Sequence, residues 1–431
     1  MRYDYAVLIL IINKMNALPS LDKQAEADCA ALCLDIQQKI NTLGGFIPFV
    51  DYMNWALYAP KYGYYSGRNE KIGRYGDFAT APQLTDLFGK CLSQQIKQIL
   101  PQTAGNIYEF GAGTGKLAVD IIKTLPENTW QNYYIIELSA DLQQRQRDYI
   151  QQKIPQYAHK IKHLDRLPET FDGFVFGNEV LDAMPCEVVE KRKDGIYRMG
   201  VKNKVKIIQN EKRWRAADSI DNTARQANEL SFLKYFDDTL QGFDWAATKA
   251  TGFLLEQAAF RLPESPTPYR TEINLQAEAF MKTLAERLNC GGMLWIDYGF
   301  DRKEYYHPQR TMGTLIGHYR HHTVDNPFVL TGQMDLTAHI DFSAIADAAT
   351  SQDIDFIGYT TQAAFLLSCG ITDFLTDLGD TSSETYIKTV AAVQKLLNPH
   401  EMGELFKCIA FGKNINPDWL GFNGLDLSAK L

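Results

Sequence analysis

The segment Glu109-Phe110-Gly111-Ala112-Gly113-Thr114-Gly115 constrains this chain more than any other. Two β-prone residues, Ile107 and Tyr108, lead into it, and the apolar run Leu117 to Leu125 follows. The order reads as a strand, a tight turn and a helix start. Glycine removes the Cβ atom where a backbone must turn sharply or a ligand must come close. The spacing is G-x-G-x-G, not the G-x-G-x-x-G of dinucleotide sites. A phosphate cradle aims a helix N-terminus at an anion, but Glu109 stands just before the first glycine and suits a cation. S-Adenosylmethionine carries an ammonium, a sulfonium and no phosphate. Tyr133-Tyr134-Ile135-Ile136-Glu137 is a second short β run ending in a carboxylate. In a doubly wound sheet that strand end lies beside the adenosine ribose, where an acid accepts from both hydroxyls. NAD sites use the same device, so the glycine spacing and Glu109 choose the cofactor. The bland alternative is a plain strand-to-helix turn followed by a surface glutamate.

A chain of 431 residues is too long for one compact core, which predicts two domains or one domain with a large insertion. Its 45% hydrophobic and 22% charged content describe a soluble globular protein. A formal net charge of −8 argues against nucleic acid as the main partner. The seven cysteines are scattered without a C-x-x-C pair, which fits reduced thiols in a cytosol-like compartment. No spacing suggests a metal site. Ala6 to Ile12 is too short to span a membrane, and its flank lacks the features of a signal or transit peptide. The expectation is a cytoplasmic protein without stable membrane insertion. If translation starts at Met15, residues 1–14 are extra sequence.

Along the chain, Leu21 to Leu43 and Ile47 to Tyr58 read as helices, with Phe49, Met53 and Leu57 on one face of the second. The glycine- and aromatic-rich stretch from Tyr62 to Pro82 reads as a loop of defined shape, either an ordinary aromatic-packed loop or a lid over the cofactor with Gly76 and Asp77 approaching it. A helix spans Leu84 to Leu100, capped by Thr85 or Asp86, and a polar helix spans Ala140 to Lys153. Strands alternating with helices argue for a parallel α/β sheet. The strand Phe171 to Gly177 ends at Asn178-Glu179-Val180-Leu181-Asp182. Ligands in such sheets bind beyond the carboxyl ends of strands, so Asn178, Glu179 and Asp182 are site candidates. On a helix, Glu179 and Asp182 would share a face, with Asn178 as the alternative cap.

Glu187 to Gln209 reads as a β meander turning at Gly195, with its basic residues on a solvated face. Glu272-Ile273-Asn274 opens a helix that Gly291-Gly292 ends, and the strand Met293 to Gly299 carries Asp297 and Tyr298 at its end. Alternation would put Asp335, His339 and Asp341 on one face of a strand; a structural or substrate-facing role fits them better than metal ligation. Four regions follow: a helical cap with the lid loop (1–83), the first part of a nucleotide-binding core (84–186), an inserted recognition subdomain (187–270), and the second part of the core with the C-terminal strands (271–431).

These motifs together resemble the MidA-like class I methyltransferases. The resemblance covers roughly residues 35–420 and rests on Gly63-Tyr64-Tyr65-Ser66, Lys71-Ile72-Gly73, Gly76-Asp77-Phe78, the glycine segment, Asn178-Glu179-x-x-Asp182-Ala183-x-Pro185, Asp297-Tyr298-Gly299, Gly313-Thr314-Leu315 and Asp335 to Phe342. It implies a seven-stranded Rossmann-like sheet with a helical N-terminal cap and inserted elements. It implies S-adenosylmethionine as donor, held by Glu109, Gly111, Gly113, Gly115, Glu137, Gly76, Asp77 and Thr80. The catalytic candidates are Glu179, Asp182 and Asn178; Asp297, Tyr298, His339 and Asp341 are the substrate-binding ones. The family includes a mitochondrial arginine methyltransferase that assists complex I assembly, so protein arginine is the implied acceptor and a complex I subunit the implied context. A homodimer is compatible with it. A non-catalytic cofactor-binding assembly factor and a small-molecule methyltransferase are the competing readings; a nicotinamide oxidoreductase is disfavoured by the glycine spacing.

Overall fold

The computed structural model describes residues 18–67, 80–204 and 242–431. The lid residues Gly76 and Asp77, the apolar stretch at Ala6 and the polar stretch 210–241 lie outside the described residues. The organising element is a twisted sheet with strands β1 (Asn106–Phe110), β2 (Asn132–Ile136), β3 (Ile161–Leu164), β4 (Phe171–Asn178), β5 (Leu288–Phe300), β6 (Asp355–Thr361) and β7 (Phe406–Lys413). Their spatial order is β3-β2-β1-β4-β5-β7-β6. Strands β3 to β5 are parallel, and β7 inserts antiparallel between β5 and β6. The seven-stranded path is the one expected, and the two-residue strand Ile340–Asp341 adds an eighth beside the end of β5. The strand order reverses between β1 and β4, which opens a ligand crevice above their carboxyl ends.

Helices cover both faces. Leu87–Ile99, Lys116–Thr124, Gln362–Ser368 and Glu384–Leu397 bury their apolar stripes on one face with Trp130, Phe174 and Trp419. Leu275–Arg287 and Phe342–Thr350 cover the other, around Trp295 and Phe342. Ala140–Lys153 and Glu384–Leu397 run as read from the sequence, each with a serine, Ser139 or Ser383, capping its first turn.

The inserted strands form a second sheet. Glu187–Arg192 and Gly195–Asn203 make the expected hairpin, joined by Phe243–Lys249 and Tyr269–Ile273. Ile47–Pro48, contributed by the N-terminal segment, pairs antiparallel with Gly200 and Val201 of this sheet. The expected helix from Ile47 therefore starts at Phe49, because the proline at 48 holds Ile47 extended. Phe49, Met53 and Leu57 are all buried, as their spacing required. They share one core with Val188, Met199, Val201 and Phe243 of the inserted sheet, so the helical cap and the insertion pack as a single body.

Further boundaries differ from the sequence reading, and the helix expected from Leu84 begins at Leu87. Glu272 and Ile273 do not open a helix; they are the end of a strand paired to Val188 and Glu187, and the helix begins at Leu275. Gly291-Gly292 does not end a helix but lies inside β5. The reason is close approach. At Gly291, with φ +146°, an added Cβ would stand 1.9 Å from the carbonyl oxygen of Gly173 on β4. Gly291→Ala should therefore lower stability by about 1–3 kcal/mol and reduce the urea midpoint. Gly379→Ala, left-handed but with open space around it, should cost only about 1 kcal/mol. Equal costs at the two positions would refute the packing argument.

Candidate active site

The glycine loop leaves β1 at Phe110. Gly111, Gly113 and Gly115 all adopt the left-handed region, with φ of +64°, +54° and +80°. The backbone curls through conformations that side chains rarely adopt, and Gly115 caps the helix Lys116–Thr124. At Gly111 an added Cβ would also come within 3.0 Å of Val180. Glu109, buried at the end of β1, accepts a 2.7 Å hydrogen bond from the Tyr133 hydroxyl on β2. Burial pushes its carboxyl up to about 8. One strand over, Glu137 Oε1 accepts from the Ser139 amide at 2.9 Å and Oε2 from Gln146 Nε2 at 3.2 Å. Burial raises this carboxyl too, against the pull of those donors.

Gln146 is a residue the sequence did not flag. Its Nε2 also donates to the Gly113 carbonyl at 3.0 Å, and its Oε1 faces His163 Nε2 at 3.0 Å. One amide thus fixes both the glycine loop and Glu137. Its only sequence signal is a polar side chain on a polar helix. On the opposite side, Gln83 Nε2 donates to Thr114 Oγ1 at 2.8 Å. Thr80 opens the short helix Ala81–Leu84 that carries Gln83.

The end of β4 is a turn, so Glu179 and Asp182 do not share a helix face. Glu179 is left-handed, with φ +54°. The amides of Val180, Leu181 and Asp182 converge on Asp297 Oδ2 at 3.2, 2.9 and 3.2 Å. Asp297 Oδ1 accepts from the Tyr298 amide at 2.9 Å. Asp297 was expected to bind substrate; both its oxygens are instead committed to the backbone of the site.

The side chains of the turn remain available. Asn178 Nδ2 donates to Glu179 Oε1 at 2.9 Å. Burial and the Asp182 charge push the half-buried Glu179 up to about 8, opposed by Asn178 and the amide of Ala81. Asp182 Oδ2 accepts from the Tyr298 hydroxyl at 2.5 Å, while its buried Oδ1 has no hydrogen-bond partner among the described residues. Burial raises Asp182 to about 6. Neither Glu179 nor Asp182 makes an ion pair among the described residues.

The helical cap closes this side. The Tyr58 hydroxyl donates to the Ala183 carbonyl at 3.0 Å, and Tyr65, stacked on Tyr58, donates to Asp335 Oδ2 at 2.9 Å. Burial raises the Tyr58 phenol, and the charges of Asp335, Asp182 and Glu137 add to it. Asp335, His339 and Asp341 do not line one strand face, because Asp335–Thr337 and Ile340–Asp341 belong to different sheets. The His339 ring stands edge-on to Tyr298, 4.9 Å between centroids, and is stacked on Phe300. Burial pushes it down to about 4, with Arg310 and Lys407 adding, so it is neutral. Asp341 is turned to another task. It caps Phe342–Thr350 through the Ala344 amide at 3.1 Å and faces Arg302 and Arg261 at 3.7 and 4.0 Å.

The site has two halves: a left-handed glycine loop between two buried acids, and a tyrosine-walled turn whose carboxylates meet no cation among the described residues. The first half fits S-adenosylmethionine. Three left-handed glycines shape the loop, and raised carboxyls at Glu109 and Glu137 favour a cationic, hydroxyl-bearing ligand over a phosphate. Fold and site define a class I S-adenosylmethionine-dependent methyltransferase.

The comparisons with known proteins agree. Residues 87–360 match the family model of S-adenosyl-L-methionine-dependent methyltransferases, and the chain belongs to that family. A Burkholderia thailandensis protein solved bound to S-adenosyl-homocysteine is 38% identical, with a TM-score of 0.84, over 96% of this chain and 100% of that one. The protein arginine methyltransferase NDUFAF7, mitochondrial, of Danio rerio is 24% identical over 84% of this chain and 82% of its own. Its Homo sapiens counterpart is 24% identical over 90% and 85%. No helix among the described residues is long and apolar enough to cross a membrane.

Two expectations follow. Gln146→Ala removes two hydrogen bonds from the cofactor half and should weaken S-adenosylhomocysteine binding about tenfold in a calorimetric titration, leaving the fold intact. Unchanged affinity would show that the loop holds its shape without Gln146. The second concerns pH. Between about 4.5 and 8 an unfolded chain ionises Glu179 while the folded chain keeps it protonated, so this residue's contribution falls as pH rises through that window. Glu179→Gln removes the penalty. Its urea midpoint relative to wild type should rise between about pH 5 and pH 8.5, and parallel pH profiles would refute this.

Proposed function

We propose that this methyltransferase acts on a guanidine nitrogen of an arginine side chain in a protein. One observation carries the reading: the half of the site beyond the glycine loop offers Glu179 and Asp182, both raised by burial and neither in an ion pair among the described residues. Such carboxyls are stabilised as anions by an entering cation. A guanidinium is planar, permanently charged and matched to carboxylates through paired N–H donors. The names of the NDUFAF7 relatives point the same way.

S-Adenosylmethionine, when bound, supplies an electrophilic methyl group on a sulfonium. Glu109, Gly111, Gly113, Gly115 and Glu137 hold it, with Thr80 at the edge and Gly76 and Asp77 assigned to its cover by the sequence motif. Glu179 and Asp182 grip the guanidinium and localise electron density on the attacking nitrogen. That nitrogen would shed one proton to the Glu179 carboxylate as its bond to the methyl carbon forms and the methyl–sulfur bond breaks, leaving the neutral thioether S-adenosylhomocysteine. Asn178 fixes the Glu179 carboxylate, and Tyr298 fixes Asp182. Tyr58, Tyr65 and the neutral His339 exclude water from the acceptor and add no competing positive charge. Asp297 and Asp341 act through the backbone and a helix cap. The chain's resemblance to the complex I assembly methyltransferases makes a subunit of NADH–quinone oxidoreductase the acceptor to test first. The seven free thiols suit a cytoplasmic setting.

The test is methyl transfer to arginine-containing peptides and to their lysine and citrulline counterparts. Transfer to arginine alone is expected. Glu179→Gln should keep its affinity for S-adenosylhomocysteine and lose turnover about 100-fold or more. Full activity in that variant would overturn the role of Glu179. Transfer to small guanidines in preference to any peptide or protein would overturn the protein acceptor.

A further inference from the structure

The inserted sheet ends in a buried acid that no part of the mechanism uses. Glu272 is 1% exposed, near the end of the strand Tyr269–Ile273. Its Oε2 accepts from the Thr314 amide at 2.9 Å, the Thr314 hydroxyl at 3.0 Å and the Tyr305 hydroxyl at 3.3 Å; its Oε1 accepts from the Leu315 amide at 3.2 Å. The loop is drawn so close that at Gly313, with φ +71°, a Cβ would stand 2.2 Å from Glu272 Oε1. This accounts for the glycine in Gly313-Thr314-Leu315. The Thr314 hydroxyl also faces away from Glu272: its oxygen accepts from the backbone amide of His339 at 3.0 Å. Two residues past Glu272, Asn274 Nδ2 donates to the His339 carbonyl at 3.4 Å. Both backbone polar groups of His339 are thus held by this corner of the inserted sheet and its partner loop.

His339 carries that restraint into the active site. Its ring lies against Tyr298, whose hydroxyl donates to Asp182. We propose that Glu272 is a positioning residue for methyl transfer: through the Thr314 hydroxyl it sets His339, and through the His339 ring it sets Tyr298 against Asp182. The hydroxyl must donate to Glu272 in order to accept from His339, because Glu272 offers only acceptors while ionised. The chain of contacts is therefore directional, and a residue of the inserted sheet controls the geometry of the acceptor pocket without touching it. The cofactor half stands outside this chain, since Gln146, Ser139 and Gln83 fix it independently.

The inference rests on the arginine reading only through the acceptor used to measure turnover, so the test has two arms. The first uses the full chain with S-adenosylhomocysteine and no acceptor. It follows the His339 ring-proton resonance, assigned by its loss in His339→Gln; the Tyr298 and Phe300 rings make that resonance sensitive to small displacements. Thr314→Val should shift it, and Thr314→Ser should return it to the wild-type position. The second arm measures transfer to an arginine peptide. Thr314→Val should lower kcat/KM about 10- to 100-fold with S-adenosylhomocysteine affinity unchanged, and Thr314→Ser should restore it. Glu272→Gln should lower it similarly, and the double variant should lose little more. A resonance unmoved by Thr314→Val, or additive losses in the double variant, would overturn the proposal. If the wild type transfers nothing to arginine, the arginine reading fails, and the resonance still decides the role of Thr314. If Glu272→Gln does not fold, the valine and serine pair at 314 decides alone.

Discussion

Three consecutive amides meeting one oxygen of Asp297 hold this site in shape. A left-handed residue such as Glu179 costs roughly 1–2 kcal/mol, and the buried amides after it would cost about as much again each if left unpaired. Hydrogen bonds to a carboxylate are worth about 1.5–3 kcal/mol apiece. The balance favours the turn over the helix that the local sequence suggests, and Glu179 is thrown outward by the backbone that Asp297 organises. The turn follows the end of β4, and Asp297 lies in β5 just past the last pair between the two strands, Asn178 and Ile296. Sheet registry therefore sets the distance between Asp297 and the turn.

The same clustering limits how much charge the site can carry. The Asp182 charge raises Glu179, and the charges of Asp182 and Glu179 raise Asp297, beyond what burial alone does. With no lysine or arginine paired to Glu179 or Asp182 among the described residues, protons are the cheapest counter-charge until a cationic ligand arrives. This separates the two ends of the chain's acid chemistry. Arg261, by contrast, meets Glu278 in a buried ion pair, and Glu190 lies between Arg192 and Arg270. Those acids are satisfied and structural. The ones above β1, β2 and β4 meet no such cation among the described residues.

Much of this was legible in the sequence because it was local. The glycine triplet carries its own conformational requirement, and Ala140–Lys153 and Glu384–Leu397 carry their caps and apolar spacing. The acids at 109 and 137 stand at strand ends, which a β run followed by a turn makes visible. What was not legible depends on partners far along the chain. The turn after Asn178 is set by Asp297, more than a hundred residues away. Gly291 resembles a helix stop until the carbonyl of Gly173 is seen above it. Alternation along 335–341 fails because the chain leaves one sheet and joins another within five residues. Gln146 gave no signal at all, since an amide on a polar helix looks like any surface residue.

The two halves of the site are built from different material, and this bears on how an acceptor is chosen. The glycine loop, Glu109, Glu137 and Gln146 belong to β1, β2 and the helices that follow them, and their bonds close among themselves. The half proposed to take the acceptor borrows its walls. Tyr58 and Tyr65 come from the cap, His339 from the segment after the three-stranded sheet, and Glu272 reaches it from the insertion. These elements share one aromatic core, in which Phe49 stacks on Trp245 and both lie against Phe328. Because interiors are close-packed, a change in that core moves its elements as a body. Substitutions in the cap or the inserted sheet can therefore alter the acceptor half while the cofactor half keeps its geometry, which lets one methyl-donor site serve whatever acceptor the outer body is shaped to admit.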